Sequence, residues 1–311
     1  MFPGVSSILL PLVDRLGFDL TIANSSDEVI AALPKVELLI LKNFSLKAAD
    51  IEAARHLRGV QRLGRLTESV DTEALKRRGI PFRTMGLPSA VAVADHTVAL
   101  MLALSRQLLP ATLAMSHPSS MEGIETDERR FAYNWAGLST SSLAGKSLGL
   151  IGFGEVALEV ATRARAFGMK VQYTKRVPLP SATERRLKVR FATFDSLVSQ
   201  SDIVSIHVPH TPETVGLIGA GVLASMKPGA LLINTARGAV VDEAALVDSL
   251  NSGHLGGAGL DVFSVEPLPR DSPLLRAPRT VLTPHIAGAG SEALAQAIAV
   301  CLANWDSALR P

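Results

Sequence analysis

The chain has 311 residues, of which 47% are hydrophobic and 19% are charged, with a formal net charge of +2. This composition supplies ample apolar side chains for buried cores and excludes an intrinsically disordered protein. The length exceeds what one hydrophobic core usually supports, so we expect two domains. The densest basic run, residues 185–190, lacks the interleaved aromatic side chains of a nucleic-acid-binding surface, so we expect no nucleic-acid partner.

The N-terminal apolar stretch, residues 8–13, is too short to cross a bilayer. Neither a basic segment nor a small-residue cleavage site accompanies it, so we expect no membrane insertion and no secretion. The one cysteine, Cys301, cannot form an intrachain disulfide, and the seven histidines show no zinc spacing. We therefore expect a cytoplasmic protein without a metal site.

Short apolar runs alternate with amphipathic segments in the first part of the chain. We interpret residues 19–23, 37–42, 60–65 and 80–85 as strands. This alternation is typical of a parallel α/β sheet.

A long helical pattern follows at residues 90–109, and a polar stretch that contains Pro and Ser extends from residue 110 to residue 142. We interpret the first as a helix that connects two domains and the second as a long loop. Both segments suit a dimer interface, so we expect a homodimer.

The middle of the chain repeats the α/β alternation with more apolar strands, as expected for strands covered on both faces. Acidic residues in the first turn and Gly253 beyond the end predict a helix at residues 242–252. A final amphipathic helix at residues 291–309 is expected to pack on the first domain. The predicted strands are residues 147–151, 170–174, 202–208, 230–235, 256–263 and 280–284.

A G-x-G-x-x-A loop connects the first of these strands to a helix. Gly152 permits the tight turn, Gly154 lets the backbone approach a pyrophosphate, and Ala157 is small enough for close helix packing. A simple tight turn is the alternative, but the strand and helix on either side favour a dinucleotide. The predicted cofactor contacts in this loop are Gly152, Phe153, Gly154, Glu155 and Val156.

The next strand ends in Thr174-Lys175-Arg176, where an NAD-specific fold usually has an acidic residue for the ribose hydroxyls. Lys175 and Arg176 would pair with a ribose phosphate, whereas a carboxylate would repel it. We therefore favour NADP over NAD. The alternative is that both cations only solvate a loop, in which case NAD is usable.

Polar side chains follow three further strands, at residues 234–238, 261–267 and 283–288. Ligands of open α/β sheets bind at such carboxyl ends. With the glycine loop, these segments resemble the signature segments of the D-isomer-specific 2-hydroxyacid dehydrogenase family. The resemblance extends from about Gly59 to the C-terminus, and it implies hydride transfer between a nicotinamide cofactor and a small 2-oxo or 2-hydroxy acid.

The chemistry of that reaction explains three residue types. A carbonyl that accepts hydride gains negative charge on oxygen and needs a proton, for which His285 is the candidate general acid. Glu266 would orient the imidazole and favour its charged form, and Arg237 would clamp the substrate carboxylate in a bidentate fork. Taken singly, His285 could cap a strand, Glu266 could form a surface turn, and Arg237 could pair with any acid.

Further cofactor contacts are implied by the resemblance alone. Asp261 would hold the nicotinamide carboxamide, and residues 207–209 with Thr214 would line the adenine side and reach the phosphates. The complete implied set beyond the glycine loop is Lys175, Arg176, His207, Val208, Pro209, Thr214, Thr235, Ala236, Asp261, His285 and Gly288.

The segment implied to bind the substrate, at Gly64, Arg65 and Leu66, departs from the family pattern. Leu66 replaces a usual glycine and Arg65 adds a cation. These changes would narrow the pocket, shift the backbone, or provide a partner for a second anionic group. Our hypothesis is an altered acid specificity.

These observations predict two α/β domains. A flavodoxin-like substrate domain comprises residues 1–92 and 288–311, and a Rossmann domain at residues 93–287 is inserted in it. The expected activity is reduction of small 2-oxo acids of the glyoxylate and hydroxypyruvate type to D-2-hydroxy acids. The alternatives are a phosphoglycerate dehydrogenase, with Arg65 on the substrate phosphate and no regulatory domain after the last helix, and a dinucleotide-sensing regulator without turnover.

Overall fold

The computed structural model describes residues 13–14, 19–23, 25–42, 44–67, 69–116, 134, 136–288 and 291–309. The chain divides into two compact units, one of Met1–Ala92 with Gly288–Pro311 and one of Val93–Ala287. Most of the N-terminal apolar stretch and residues 117–133 of the predicted long loop lie outside the described residues.

The first unit contains a parallel sheet of three strands in the order β1-β2-β3, and the strands predicted near residues 40, 62 and 83 are confirmed. In a flavodoxin-like sheet of order 2-1-3-4-5, the last three strands are also sequential neighbours. The elements are α1 (Ser26–Ala32), a 3-10 turn (Leu33–Lys35), β1 (Leu38–Leu41), α2 (Ala48–Ala53), β2 (Gly59–Leu63), α3 (Thr72–Arg77) and β3 (Phe82–Met85).

The strand predicted at residues 19–23 is wrong, because these residues have no regular secondary structure. Leu20 still packs beside Leu38 and Ile40 of β1. The apolar pattern of these residues therefore reflects packing on the sheet. The residues do not form a strand, because a strand also needs a hydrogen-bonded neighbour.

The C-terminal helix α11 (Ser291–Leu309) packs on the sheet of the first unit. A Cβ atom on Gly59 would lie 2.5 Å from Cζ3 of Trp305, so only glycine fits beneath the indole. The indole N–H donates to Oε1 of Gln61 at 3.1 Å, which satisfies both buried polar groups.

The second unit contains a seven-stranded parallel sheet in the order β10-β9-β8-β7-β4-β5-β6, which confirms the predicted Rossmann fold. Strand order reverses between β4 and β7, where ligands of such sheets bind. The elements are α4 (Pro88–Ser105, which begins in the first unit), α5 (Leu108–Ser116), β4 (Ser147–Ile151), α6 (Glu155–Ala166), β5 (Lys170–Thr174), α7 (Ser181–Leu187), β6 (Arg190–Phe191), α8 (Phe194–Gln200), β7 (Ile203–Ile206), α9 (Ala220–Ser225), β8 (Leu231–Asn234), a 3-10 turn (Gly238–Val240), α10 (Glu243–Asn251), β9 (Gly257–Leu260), a 3-10 turn (Pro273–Leu275) and β10 (Thr280–Leu282).

The predicted connecting helix is two helices, because Gln107 adopts a left-handed conformation with φ +50° between α4 and α5. Residues 110–116, predicted as loop, belong to α5. Pro110 lies in the first turn of α5, where a missing N–H costs no helical hydrogen bond. Strand β6 was also missed, because its two residues are too few to show a periodicity.

The helix predicted at residues 242–252 is confirmed as α10. The Asp242 side chain accepts a hydrogen bond from Ala245 N at 3.1 Å, and Gly253 after the helix has φ +74°.

Helix α4 is long and apolar enough to cross a membrane by length and composition, but 44% of that stretch is buried in the protein. Its residues Leu100 and Leu104 contact Gly257 and Gly259 of β9. This packing is that of a core helix on a sheet.

Candidate functional site

The glycine loop forms an open cradle at the N-terminus of α6. Gly152 has φ +88°, and a Cβ atom there would lie 2.6 Å from the His207 carbonyl oxygen, so the turn requires glycine. A Cβ on Gly154 would meet no atom within 4 Å, and no side chain caps the helix. The first-turn N–H groups are therefore accessible to an anion such as a pyrophosphate.

The other residues of the loop divide between core and surface. Phe153 is buried with its ring centroid 4.6 Å from that of Tyr173, so its side chain supports the sheet. Glu155 and Val156 are partly exposed in the first turn of α6, and Ala157 is fully buried. The geometry of the loop therefore suits a dinucleotide that is bound by the backbone N–H groups of the loop.

The two cations after β5 lie at the surface, with Lys175 partly buried and Arg176 exposed. The pKa of the Glu213 carboxyl is lowered, first by its hydrogen bond with Thr211 and in smaller part by the charge of Arg176. An acidic group thus lies near Arg176, which the local sequence pattern did not reveal.

The loop after β7 is held by its own side chains. His207 is partly buried with Nε2 2.9 Å from the Ser205 hydroxyl, and burial lowers its pKa to about 3, so the imidazole is neutral. The Thr214 hydroxyl donates to Pro209 O at 2.7 Å and accepts from Thr211 N at 2.8 Å. The Thr214 hydroxyl, which was predicted to reach the phosphates, is therefore used in hydrogen bonds within the loop. Val208 is partly buried.

The segment after β8 carries Arg237 at the surface. Asn234, which the sequence reasoning assigned no role, accepts from Ala236 N at 3.0 Å and donates to Arg237 O at 2.9 Å. Thr235 is buried with its hydroxyl 2.8 Å from that of Thr97. The Asn234 side chain thus fixes the backbone that presents the guanidinium.

Gly238 brings this segment against the next strand end. A Cβ atom on Gly238 would lie 1.9 Å from the carbonyl carbon of Phe263 and 2.4 Å from Ser264 N. No side chain fits between the two backbones. This close approach places Arg237 near Glu266, and the charge of Arg237 contributes to the lowered pKa of that carboxyl.

Glu266 and His285 form a direct pair. Nδ1 of His285 lies 2.6 Å from Oε2 of Glu266, and Oε1 accepts from Phe263 N at 2.9 Å. Partial burial alone would raise the pKa of Glu266, but the hydrogen bonds from His285 and Phe263 outweigh it and lower the pKa. The carboxylate is ionised and fixes the imidazole, with the side chain of His285 49% exposed.

His285 has φ +56°, a left-handed conformation that is uncommon for a residue with a side chain and often marks a functional site. The buried Asp261 holds its segment. The Asp261 carboxylate accepts from Ile286 N and Ala287 N, each at 2.9 Å, and its carbonyl oxygen accepts from His285 N at 2.8 Å. Asp261, predicted to bind the carboxamide, thus directs its hydrogen bonds to the segment that carries His285.

A second histidine supports the same segment. His96 of α4 places Nε2 2.8 Å from the Thr283 hydroxyl and 3.5 Å from Oδ1 of Asp261. The sequence reasoning missed His96 because it lies far from the motif in the chain.

Of the residues predicted to bind substrate, Arg237 lies in the second unit, and Gly64, Arg65 and Leu66 lie in the first. Gly64 has φ +139° and donates to Met85 O at 2.6 Å. Arg65 is exposed, and its guanidinium covers Gly86, where a Cβ atom would lie 3.2 Å from Nε. The Leu66 carbonyl accepts from Arg62 Nε at 3.3 Å. Gly288, predicted to contact the cofactor, is exposed.

No group of three or more His, Cys, Asp or Glu residues in the described part of the chain is placed to hold a metal ion.

Comparison with known proteins relates the chain to one enzyme family. Residues 98–287 match the family model for the D-isomer specific 2-hydroxyacid dehydrogenase, NAD binding domain. The chain is 37% identical over 271 residues to the hydroxypyruvate reductase of Thermotoga maritima, covering 86% of this chain and 83% of that protein. It is 36% identical over 271 residues to the D-3-phosphoglycerate dehydrogenase of Archaeoglobus fulgidus.

The match to that phosphoglycerate dehydrogenase covers 86% of this chain and 49% of the relative, so the chain spans about half the length of such relatives. Among solved structures, the apo form of Rhodotorula graminis D-mandelate dehydrogenase aligns with a TM-score of 0.62 and 28% identity, covering 95% of this chain and 89% of that one. The chain belongs to the D-isomer specific 2-hydroxyacid dehydrogenase family.

Proposed function

We propose that the protein is an NAD(P)H-dependent reductase that converts small 2-oxo acids of the glyoxylate and hydroxypyruvate type to D-2-hydroxy acids. The observation that carries this proposal is the 2.6 Å pair of Glu266 and His285 close to Arg237. The hydroxypyruvate reductase that is 37% identical supports the substrate class.

The glycine cradle fits the dinucleotide, because Gly154 leaves space at an uncapped helix N-terminus. The loop backbone from Gly152 to Val156 would hold the pyrophosphate, and residues 207–209 with residues 235–236 would line the site. When bound, the reduced nicotinamide supplies the hydride. Asp261 is still proposed to bind the nicotinamide carboxamide, because its carboxylate oxygens can accept further hydrogen bonds.

The side chains of the second unit would do the remaining chemistry. Arg237 binds the substrate carboxylate in a fork and so fixes the carbonyl. His285, with Nδ1 turned to Glu266, has Nε2 available to give a proton to the carbonyl oxygen as negative charge develops. Glu266 holds the imidazole in that orientation and stabilises its charged form.

Gly64, Arg65 and Leu66 are proposed to contact the acid, with the first unit as the substrate domain and the second unit as the cofactor domain. The protein would act as a cytoplasmic homodimer that binds neither nucleic acid nor membrane. Support for the dimer comes from exposed apolar side chains on α5, namely Leu108, Leu109, Leu113 and Met115.

Phosphoglycerate dehydrogenase activity is the second candidate. The exposed guanidinium of Arg65 and the Archaeoglobus relative favour it. The regulatory alternative, cofactor binding without turnover, is disfavoured because Arg237, Glu266 and His285 are all present.

NADPH is the proposed cofactor, because Lys175 and Arg176 provide two positive charges where NAD-specific folds have an acid. The double variant Lys175→Ala/Arg176→Ala should raise KM for NADPH and leave KM for NADH nearly unchanged. Arg185→Ala/Arg186→Ala removes two exposed cations of α7 and serves as the control. An equal loss with both cofactors would contradict the preference.

The function is tested by following absorbance of the reduced nicotinamide with glyoxylate, hydroxypyruvate, pyruvate, phenylpyruvate and phosphohydroxypyruvate, each with NADPH and with NADH. We expect turnover with glyoxylate and with hydroxypyruvate. Turnover with phosphohydroxypyruvate alone would favour the second candidate, and tight cofactor binding without turnover across the panel would contradict the proposed activity.

A further inference from the structure

A cavity of about 170 Å³ opens in the second unit at the amino ends of its strands. Lys146 precedes β4, Asp202 precedes β7, and Arg279 precedes β10, and all three line the cavity together with Lys227. Arg237 follows the carboxyl end of β8, as the glycine loop follows that of β4. The cavity is therefore at the opposite edge of the sheet from the proposed active site.

The described residues that line this cavity carry more positive than negative charge. Asp202, the one carboxylate among them, accepts from Lys227 Nζ at 3.0 Å and from both the N–H and the hydroxyl of Ser147 at 2.8 Å. Burial opposes its ionisation, but these donors and the charge of Lys227 outweigh burial and lower the Asp202 pKa to about 2. The negative charge of Asp202 is therefore balanced by Lys227 and by the two donors of Ser147.

Two lining cations, Lys146 and Arg279, do not take part in this group around Asp202. Neither Lys146 nor Arg279 forms an ion pair with any carboxylate among the residues that the structure describes. Two cations that share a concave site repel one another, and an anion between them would remove that repulsion.

Ser105, which also lines the cavity, has a buried hydroxyl without a hydrogen-bond partner among the described residues. Ser105 lies at the end of α4 and is only 5% exposed. Ser139 and Ser141 line the same cavity, and Ser141 N donates to Ser105 O at 2.8 Å. A buried hydroxyl without a partner is unfavourable, and an oxyanion oxygen is an acceptor that would satisfy it.

We propose that this cavity is a second ligand site that binds a doubly charged oxyanion, a phosphate group, through Lys146, Arg279 and the hydroxyl of Ser105. The volume of about 170 Å³ is below the range of roughly 300–1,000 Å³ that encloses larger organic ligands, and it suits a small anion. The charge of the ligand matches the two cations Lys146 and Arg279. The phosphate group comes either from inorganic phosphate or from a small phosphorylated metabolite.

The test is calorimetric titration of the full chain with inorganic phosphate at constant ionic strength, in the presence of saturating NADPH. The dinucleotide occupies the glycine loop together with Lys175 and Arg176, and so removes phosphate binding at both places. We expect one saturable phosphate site that is lost or weakened at least about tenfold in Lys146→Gln/Arg279→Gln, since each cation contributes a charge-assisted hydrogen bond. Repeating the titration with glycerol 2-phosphate distinguishes the two sources of the phosphate group. An affinity equal to that of inorganic phosphate indicates a phosphorylated metabolite, and a weaker affinity indicates inorganic phosphate.

The matched control is Arg185→Gln/Arg186→Gln, which removes the same charge from the exposed face of α7. Its phosphate affinity should stay within about twofold of that of the unmodified protein. If Lys146→Gln/Arg279→Gln fails to fold, Ser105→Ala removes the unpartnered hydroxyl and should weaken phosphate severalfold. No saturable binding to the unmodified protein, or equal weakening in the control, would overturn the proposal.

Discussion

The hydroxyl of Thr283 donates to Oδ1 of the buried Asp261 at 2.6 Å. A hydroxyl has one proton, so Thr283 can only accept at its 2.8 Å contact with Nε2 of His96. His96 therefore carries a proton on Nε2 and is the outer donor of a chain from His96 through Thr283 to Asp261. This chain stabilises the segment in which His285 has its left-handed backbone.

Thr283→Val removes this hydroxyl while nearly keeping the side-chain shape. It leaves the His96 N–H without its acceptor and Asp261 without its shortest donor. We expect a loss of about 1–3 kcal/mol in the free energy of unfolding and a fall in kcat larger than the rise in KM, because the His285 segment loosens. Urea unfolding and steady-state kinetics measure both. Thr283→Ser keeps the hydroxyl and should restore both properties, and a serine variant as impaired as the valine variant would refute the chain.

Glu266→Gln tests the electrostatic role of the carboxylate. The Glu266 pKa is lowered, so the carboxylate is ionised at neutral pH and pairs with Nδ1 of His285 at 2.6 Å. Glu266→Gln removes this charge while nearly keeping the side-chain shape. We expect kcat/KM for reduction to fall about tenfold or more, because the imidazole loses its charge-assisted hydrogen bond, and the affinity for the reduced dinucleotide to stay nearly unchanged.

Glu243→Gln is the matched control, because Glu243 also accepts a backbone N–H of the same segment, from Ser264 at 2.6 Å, and is not hydrogen-bonded to His285. Its kcat/KM should stay within about twofold of that of the unmodified protein. An equal loss in both variants would show that loop structure, not the charge beside His285, sets the rate.

Gly238→Ala should move the Arg237 segment away from the Glu266 segment, because the new Cβ would lie 1.9 Å from Phe263 C. We expect about 1–3 kcal/mol lower stability and a higher KM for the acid. Gly221→Ala in α9 meets no atom within 4 Å and should be neutral or stabilising by about 0.5–1 kcal/mol. Thermal unfolding of the two variants distinguishes a local clash from a general cost of alanine.

Asp202→Asn should destabilise the protein at neutral pH but not at strongly acidic pH. The folded pKa of about 2 lies below the ordinary 3.8, so the carboxylate stabilises the fold above pH 4 and this contribution is lost as the pH falls toward 2. Allowing for solvent screening of a side chain that is 33% exposed, we expect a difference of about 1–2 kcal/mol at pH 7. Chemical unfolding at pH 7 and pH 2 in phosphate-free buffer tests this, and a difference that persists at pH 2 would contradict it.

Much of the fold and part of the site could be predicted from local patterns. The glycine loop could be predicted because Gly152, which the tight turn requires, and Gly154, which leaves space at the helix N-terminus, lie within a few residues of each other. The strands of the second unit could be predicted because both faces of the sheet are covered, which makes each strand a continuous apolar run. By contrast, the boundary at Gln107 depends on one left-handed residue that the helical pattern does not mark.

The supporting residues of the site could not be predicted, because their contacts join distant parts of the chain. His96 meets Thr283 across 187 positions, and the Asp261 carboxylate reaches Ala287 N across 26. Asn234 was visible at a strand end, but the turn that it closes with Arg237 depends on backbone geometry that no spacing rule specifies.

The most direct test of the account is the reduction of hydroxypyruvate by the unmodified protein and by His285→Gln, measured as kcat/KM together with the dissociation constant of the reduced dinucleotide. A general acid contributes roughly 10²–10⁴-fold, so we predict a fall of that size in kcat/KM with the dinucleotide affinity nearly unchanged. A His285→Gln variant that keeps its rate within about tenfold of the unmodified protein would contradict the role of His285 as the proton donor.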